Sequence, residues 1–169
     1  HFFNPVRRMK LVEVIRGEKT SDQTVATAVA YAKHIGKAPV VVNDGPGFLV
    51  NRLLFPYMQE ALVLLSTGAQ IKDIERAAKK FGMPMGPIEL YDMVGLDTAM
   101  YAGATMATAF PDRVLTSPIL ADMVAAGRLG RKSGAGFYSY MNRKQRAEPD
   151  PTLADVLGKH QLDRQSFTP

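Results

Sequence analysis

Few side chains in this sequence could do chemistry, and two of them suit each other. Glu13 stands in Lys10-Leu11-Val12-Glu13-Val14-Ile15, a short β-branched run that predicts a strand. A carboxylate buried there loses hydration and needs a partner. Alternation puts Glu13 on the face of Leu11 and Ile15, so a cationic or hydrogen-bonding group must meet it. The alternative is an edge strand with Glu13 facing water. His1 is the candidate partner. Phe2-Phe3 reads as the end of a preceding strand and Asn4 to Met9 as a connection, which brings His1 and Glu13 onto neighbouring segments. An imidazole held by a carboxylate is fixed in one tautomer, and its protonated form is stabilised. Such a pair serves as a general base near neutral pH.

Asn51 follows the Gly45-Pro46-Gly47 turn near a helix start, where free N–H groups and an amide can orient a polar ligand. Plain helix-start packing is the other reading. The run Gly130-Arg131-Lys132-Ser133-Gly134-Ala135-Gly136 could wrap a phosphate with backbone N–H groups and two cations, although it lacks the P-loop spacing. No G-x-G-x-x-G occurs, so the sequence holds no dinucleotide pyrophosphate cradle. There is no cysteine, which excludes a thiol nucleophile and a disulfide scaffold. His34 and His160 have no neighbours at metal-ligand spacing, and no metal is expected.

The elements that must position these residues fall into two styles. Residues 1–43 read as strand, helix, strand: the run at 10–15, a helix capped by Thr20 with Gln23 three residues on, and Pro39-Val40-Val41-Val42. That pattern predicts a parallel βαβ crossover. From Phe48 the chain reads as helices: 48–67 with Pro56 inside it, 71–81, 88–94, 97–109 with Asp97 as cap, and 118–126 after Ser117. Phe137-Tyr138-Ser139-Tyr140 follows the Gly-rich loop. Residues 141–151 read as a linker, 152–158 as one short helix, and the last stretch as a mobile tail.

The chain has 169 residues, 46% hydrophobic, with a formal net charge of +5. The positive charge is local, in Arg7, Arg8, Lys10 and Arg16 and again in Arg128, Arg131 and Lys132. Nucleic-acid binding, a solvated surface and attraction of a phosphorylated ligand are the three readings of such clusters. No helix-turn-helix, RNP-like or zinc-finger pattern supports the first. No apolar run reaches the roughly 20 residues of a membrane span.

Taken jointly, the motifs resemble the 3-hydroxyacyl-CoA dehydrogenase family. They are His1-Phe2-Phe3-Asn4-Pro5, Met9 to Ile15, Asp44-Gly45-Pro46-Gly47-Phe48, Asn51-Arg52-Leu53-Leu54, Pro84-Met85-Gly86-Pro87, Asp92 to Asp97, and Gly130 to Tyr138. The match runs in order from residue 1 to about 140. The resemblance implies a mainly α fold, in which a helical dehydrogenase C-terminal domain follows a short α/β remnant of a Rossmann domain with two or three strands and one helix. It implies boundaries of 1–43 for the end of the NAD-binding domain, 44–140 for the helical domain and 141–169 for linker and tail. The non-Met start implies a piece of a longer chain whose fingerprint loop lies upstream of His1.

The resemblance further implies NAD-dependent oxidation of (3S)-3-hydroxyacyl-CoA to 3-oxoacyl-CoA in fatty-acid β-oxidation. In that reading His1 is the general base, Glu13 its orienting carboxylate and Asn51 the substrate-positioning amide. Asn4 and Lys132 match positions that contact the nicotinamide cofactor. The 169 residues alone are expected to be inactive. Continuation beyond Tyr138 resembles the multifunctional fatty-acid oxidation proteins. Expected partners are an acyl-CoA substrate, a second copy paired through the helical domain and a thiolase subunit, with no nucleic acid. The expected location is bacterial cytoplasm or a eukaryotic organelle matrix. A non-catalytic helical dimerisation module is the alternative reading.

Overall fold

Strand β1 (Leu11–Arg16) pairs in parallel with β2 (Ala38–Asn43), Leu11 opposite Ala38 and Arg16 opposite Asn43, and α1 (Asp22–His34) connects them. The architecture is that of a computed structural model, which describes residues 1–114, 117–141, 145–149 and 153–160. On the other side of β1, Phe2 forms an antiparallel bridge with Val12. The Glu13 N–H donates to the His1 carbonyl at 3.0 Å, and the His1 nitrogen donates to the Glu13 carbonyl at 2.8 Å. β1 therefore has a neighbour on each side, and the water-facing alternative for Glu13 fails: its exposure is 1%.

One turn differs from expectation. Ser21, not Thr20, caps α1, its hydroxyl accepting from Thr24 N–H at 3.2 Å. Ser21 is the last extended residue (φ −70°, ψ 155°), so its side chain faces the open N–H groups. Thr20 instead accepts from Gly17 N–H at 3.1 Å and closes the preceding turn.

The remaining described elements are α2 (Val50–Ser66), α3 (Ile71–Phe81), α4 (Pro87–Val94), α5 (Leu96–Ala109), α6 (Pro118–Ala125), β3 (Tyr138–Met141), β4 (Gln145–Pro149) and α7 (Leu153–Gly158). α2 runs through Pro56 as one continuous helix. Asp97 is not a cap: α5 starts one residue earlier after Gly95, and the Asp97 carboxylate turns back to its neighbour Thr98 N–H at 2.8 Å. The segment expected as linker contains β4, which pairs antiparallel with β3. The short helix expected at 152–158 is α7, and its Leu153 is 3% exposed within the helical core. Of the last stretch, read as a tail, residues 161–169 lie outside the described residues.

The chain divides into two compact units, His1–Leu53 and Leu54–Pro169, with the division inside α2. Val12, Val25 and Ala32 are buried in the first. The second is built around Leu62, Ile88, Tyr91, Leu96, Ile119, Met123 and Phe137, all essentially sealed from solvent. The fold is mainly α, with a small parallel α/β element at the start. No helix among the described residues is long and apolar enough to cross a membrane.

Candidate active site

In the first unit, Nδ1 of His1 lies 2.8 Å from Oε2 of Glu13. The Glu13 side chain is fully buried, while a third of the His1 side chain stays open (33%). The other carboxylate oxygen, Oε1, accepts from two consecutive backbone groups, Leu49 N–H at 3.0 Å and Val50 N–H at 2.9 Å. These lie at the start of α2, where N–H groups have no intrahelical acceptor and the helix dipole favours negative charge. An ionised carboxylate only accepts, so Nδ1 must donate to Oε2 and the lone pair is left on Nε2. The imidazole is flanked by two aromatic rings, Phe3 edge-on at 4.7 Å and 67°, and Phe48 at 5.6 Å and 50°.

Asn51 is exposed on the first turn of α2, one residue beyond the Val50 N–H that Glu13 holds. The structure thus brings together His1, Glu13 and the helix start that carries Asn51. Asn4 is exposed and directly follows Phe3. Lys132 belongs to the second unit, where its Nζ lies 2.5 and 2.6 Å from the two oxygens of Asp97. That ammonium holds the Asp97 carboxyl below the usual carboxylate range.

The Gly-rich loop does not form a phosphate cradle. Five of its N–H groups already have acceptors within the chain: Gly130 on the Ala135 carbonyl, Arg131 on the Asp92 carbonyl, Ser133 on Gly130, Gly134 on Arg131 and Gly136 on Tyr138. The anion the loop surrounds is the protein's own Asp92. Its carboxylate accepts from Phe137 N–H, Tyr138 N–H and the Tyr140 hydroxyl, each at 2.9 Å. Burial pushes the Asp92 carboxyl above the usual range, opposed by those three donors and by the charge of Arg128. The glycines permit the approach. A Cβ at Gly136 would come 2.0 Å from Asp92 Oδ1, and one at Gly130 would come 2.4 Å from the Asp92 carbonyl oxygen.

A third buried carboxylate repeats the device. Oε1 of Glu75 accepts from Ile88 and Glu89 N–H, both at 2.9 Å, at the start of α4. Gly86 is required there, since its Cβ would lie 1.9 Å from Glu75 Oε2. Sequence reasoning missed Glu75 and Asp92. The signal was present: Glu75 interrupts the apolar stripe of Ile71, Ile74 and Ala78, and Asp92 that of Ile88 and Tyr91. An acid on a buried helix stripe demands donors just as an acid on a buried strand does.

Comparison with known proteins identifies the family. Residues 1–45 match the family model described as "3-hydroxyacyl-CoA dehydrogenase, NAD binding domain". Residues 47–140 match "3-hydroxyacyl-CoA dehydrogenase, C-terminal domain". Among curated relatives, the fatty acid oxidation complex subunit alpha of Pseudomonas aeruginosa is 49% identical over 174 residues, covering 99% of this chain and 24% of that protein. The protein of the same name from Pseudomonas putida is 53% identical over 163 residues, covering 93% and 23%. The chain therefore spans about a quarter of the length of the curated relatives it matches. Among solved structures, (S)-3-hydroxybutyryl-CoA dehydrogenase from Ralstonia eutropha superposes with a TM-score of 0.80 at 45% identity, over 83% of this chain and 51% of that one. The dehydrogenase part of multifunctional enzyme 1 from C. elegans gives 0.71 at 31% identity, over 100% and 38%. With both halves of the family's pattern matched in order along its length, the chain belongs to the 3-hydroxyacyl-CoA dehydrogenase family.

Proposed function

We propose that the whole protein oxidises (3S)-3-hydroxyacyl-CoA to 3-oxoacyl-CoA in fatty-acid β-oxidation, with this chain supplying the base. The observation that carries the reading is the sealed Glu13 carboxylate, with backbone donors on one oxygen and the His1 imidazole on the other. His1 Nε2 takes the proton of the 3-hydroxyl as the C3–H bond gives up its hydride and the C3 carbonyl forms. Glu13 holds the imidazole in the tautomer that leaves Nε2 free, then stabilises the imidazolium. Asn51 positions the substrate from the exposed first turn of α2.

NAD, when bound, supplies the hydride-accepting ring. Two residues match the family's contacts to it, one in each unit. Asn4 offers an exposed amide beside the His1 segment, and Lys132 a cation already shared with Asp97. Residues 130–136 offer the pyrophosphate little, because five of their N–H groups already have acceptors within the chain.

The test is NADH formation. The full-length protein is expected to turn over (3S)-3-hydroxybutyryl-CoA, and the 169 residues alone are expected to give no NADH. Silence from the full-length protein overturns the activity. Turnover by the isolated chain overturns the view that the pyrophosphate is held elsewhere.

The proposal extends to assembly. In the helical unit Phe81 is 87% and Tyr101 71% exposed, apolar surface that pairing with a second copy would cover. Light scattering of the 18.5 kDa chain is expected to read twice that mass; a monomer at micromolar concentration overturns the pairing. The relatives' naming as the alpha subunit of a complex supports a partner subunit, which we propose to be a thiolase.

A further inference from the structure

We infer that Phe48 is a positioning residue for His1, its left-handed backbone and its ring acting together. The inference rests on the reading of His1 as the base and goes on to what holds its ring in place. Phe48 has φ +43°, the one described non-glycine residue with positive φ. An aromatic residue is disfavoured there, because its Cβ crowds the neighbouring peptide. Gly47 before it, at φ +73°, shows that the turn can use glycine without strain. A glycine at 48 would serve the backbone equally well, so the phenylalanine calls for an explanation in its side chain. Strain retained at one residue points to work done by that residue.

Two consequences of the turn meet at one place. After Gly47 and Phe48, the next two N–H groups, Leu49 and Val50, both reach Glu13 Oε1. The Phe48 ring meanwhile lies 5.6 Å from the imidazole that Glu13 Oε2 holds. A single hydrogen bond from Nδ1 is a hinge, about which the ring could swing or flip. Phe3 at 4.7 Å and Phe48 flank the imidazole and remove that freedom. Nε2, the ring nitrogen Glu13 does not take, is then held in one direction. Phe48 touches no reacting atom in this scheme; it acts through His1.

The experiment pairs kinetics on the full-length protein with nitrogen-15 spectra of the 169-residue chain, whose three histidines make the imidazole signals assignable. Phe48→Gly relieves the backbone and deletes the ring. It is expected to lower kcat by about 10²-fold with KM within about threefold, as misplacement of a catalytic group does. The chain should unfold at the same temperature or higher, and the His1 signals should move from one tautomer toward a two-tautomer average. Phe48→Tyr, which keeps the ring, is expected to restore kcat to near the parent value. The inference is overturned if Phe48→Gly keeps kcat and a single His1 tautomer. It is equally overturned if activity falls only in step with stability while the tautomer is unchanged. A Glu13→Gln arm separates this from the function itself: parent rates there remove His1 as the oriented base, while the spectra still report whether Phe48 holds its ring.

Discussion

Replacing His1 by Gln in the full-length protein is expected to cut kcat by roughly 10²–10⁴-fold, the usual contribution of a positioned general base. Gln can still donate to Glu13 Oε2, so the buried carboxylate keeps a partner and the fold is expected to survive. It has no atom that takes a proton at neutral pH. Glu13→Gln is the sharper variant, because it is isosteric. Leu49 and Val50 N–H groups demand an oxygen at the Oε1 position, which forces the amide nitrogen toward His1. Nδ1 must then accept rather than donate, and the proton moves to Nε2. The base is switched off by its tautomer, with every heavy atom nearly in place. A loss of similar order is expected, with KM little changed and thermal unfolding shifted by only a few degrees. Rates near the parent value in either variant would remove the pair from its role.

The largest expected effect on stability lies in the other unit. Asp92→Ala orphans two buried N–H groups and one buried hydroxyl and empties the space that Gly136 leaves for the carboxylate. Removing one partner of a buried charged network destabilises by about 3–5 kcal/mol, because the remaining groups are left unpaired. Asp92→Asn is expected to cost less, about 1–3 kcal/mol, since its oxygen still accepts while its amide faces a donor. Urea unfolding of the 169-residue chain, followed by tyrosine fluorescence and circular dichroism, measures both. A change below about 1 kcal/mol in Asp92→Ala would show that the loop holds its shape without the carboxylate.

β1, β2 and the helices were legible because apolar spacing marks them, and α3 appears with the predicted ends, whereas polar β4 lies in the segment that read as linker. Glu13 was legible as a buried acid because its strand is otherwise apolar. Its actual donors were not, apart from His1: the Leu49 and Val50 N–H groups carry no residue type for sequence reasoning to find. The Gly-rich loop shows the same limit from the other side. Its glycines and basic residues read as a phosphate wrap, whereas the glycines leave room for the protein's own Asp92. The N–H groups that serve Asp92 belong to Phe137 and Tyr138, just beyond the run, and only the fold reveals that an acid some 45 positions earlier is the one received. Ser21 and Thr20 differ by one residue and are both good caps, so the choice waited on which was last in the extended region.

Asp92 and residues 130–140 also behave as one transplantable part. The loop's conformation is written partly in a helix more than a third of a hundred residues away, so exchanging the loop alone between family members brings its shape only where the receiving helix offers an acid at the same depth. A chimera cut between α4 and the loop inherits two halves of a lock, and its success depends on whether both parents kept the aspartate under the glycines.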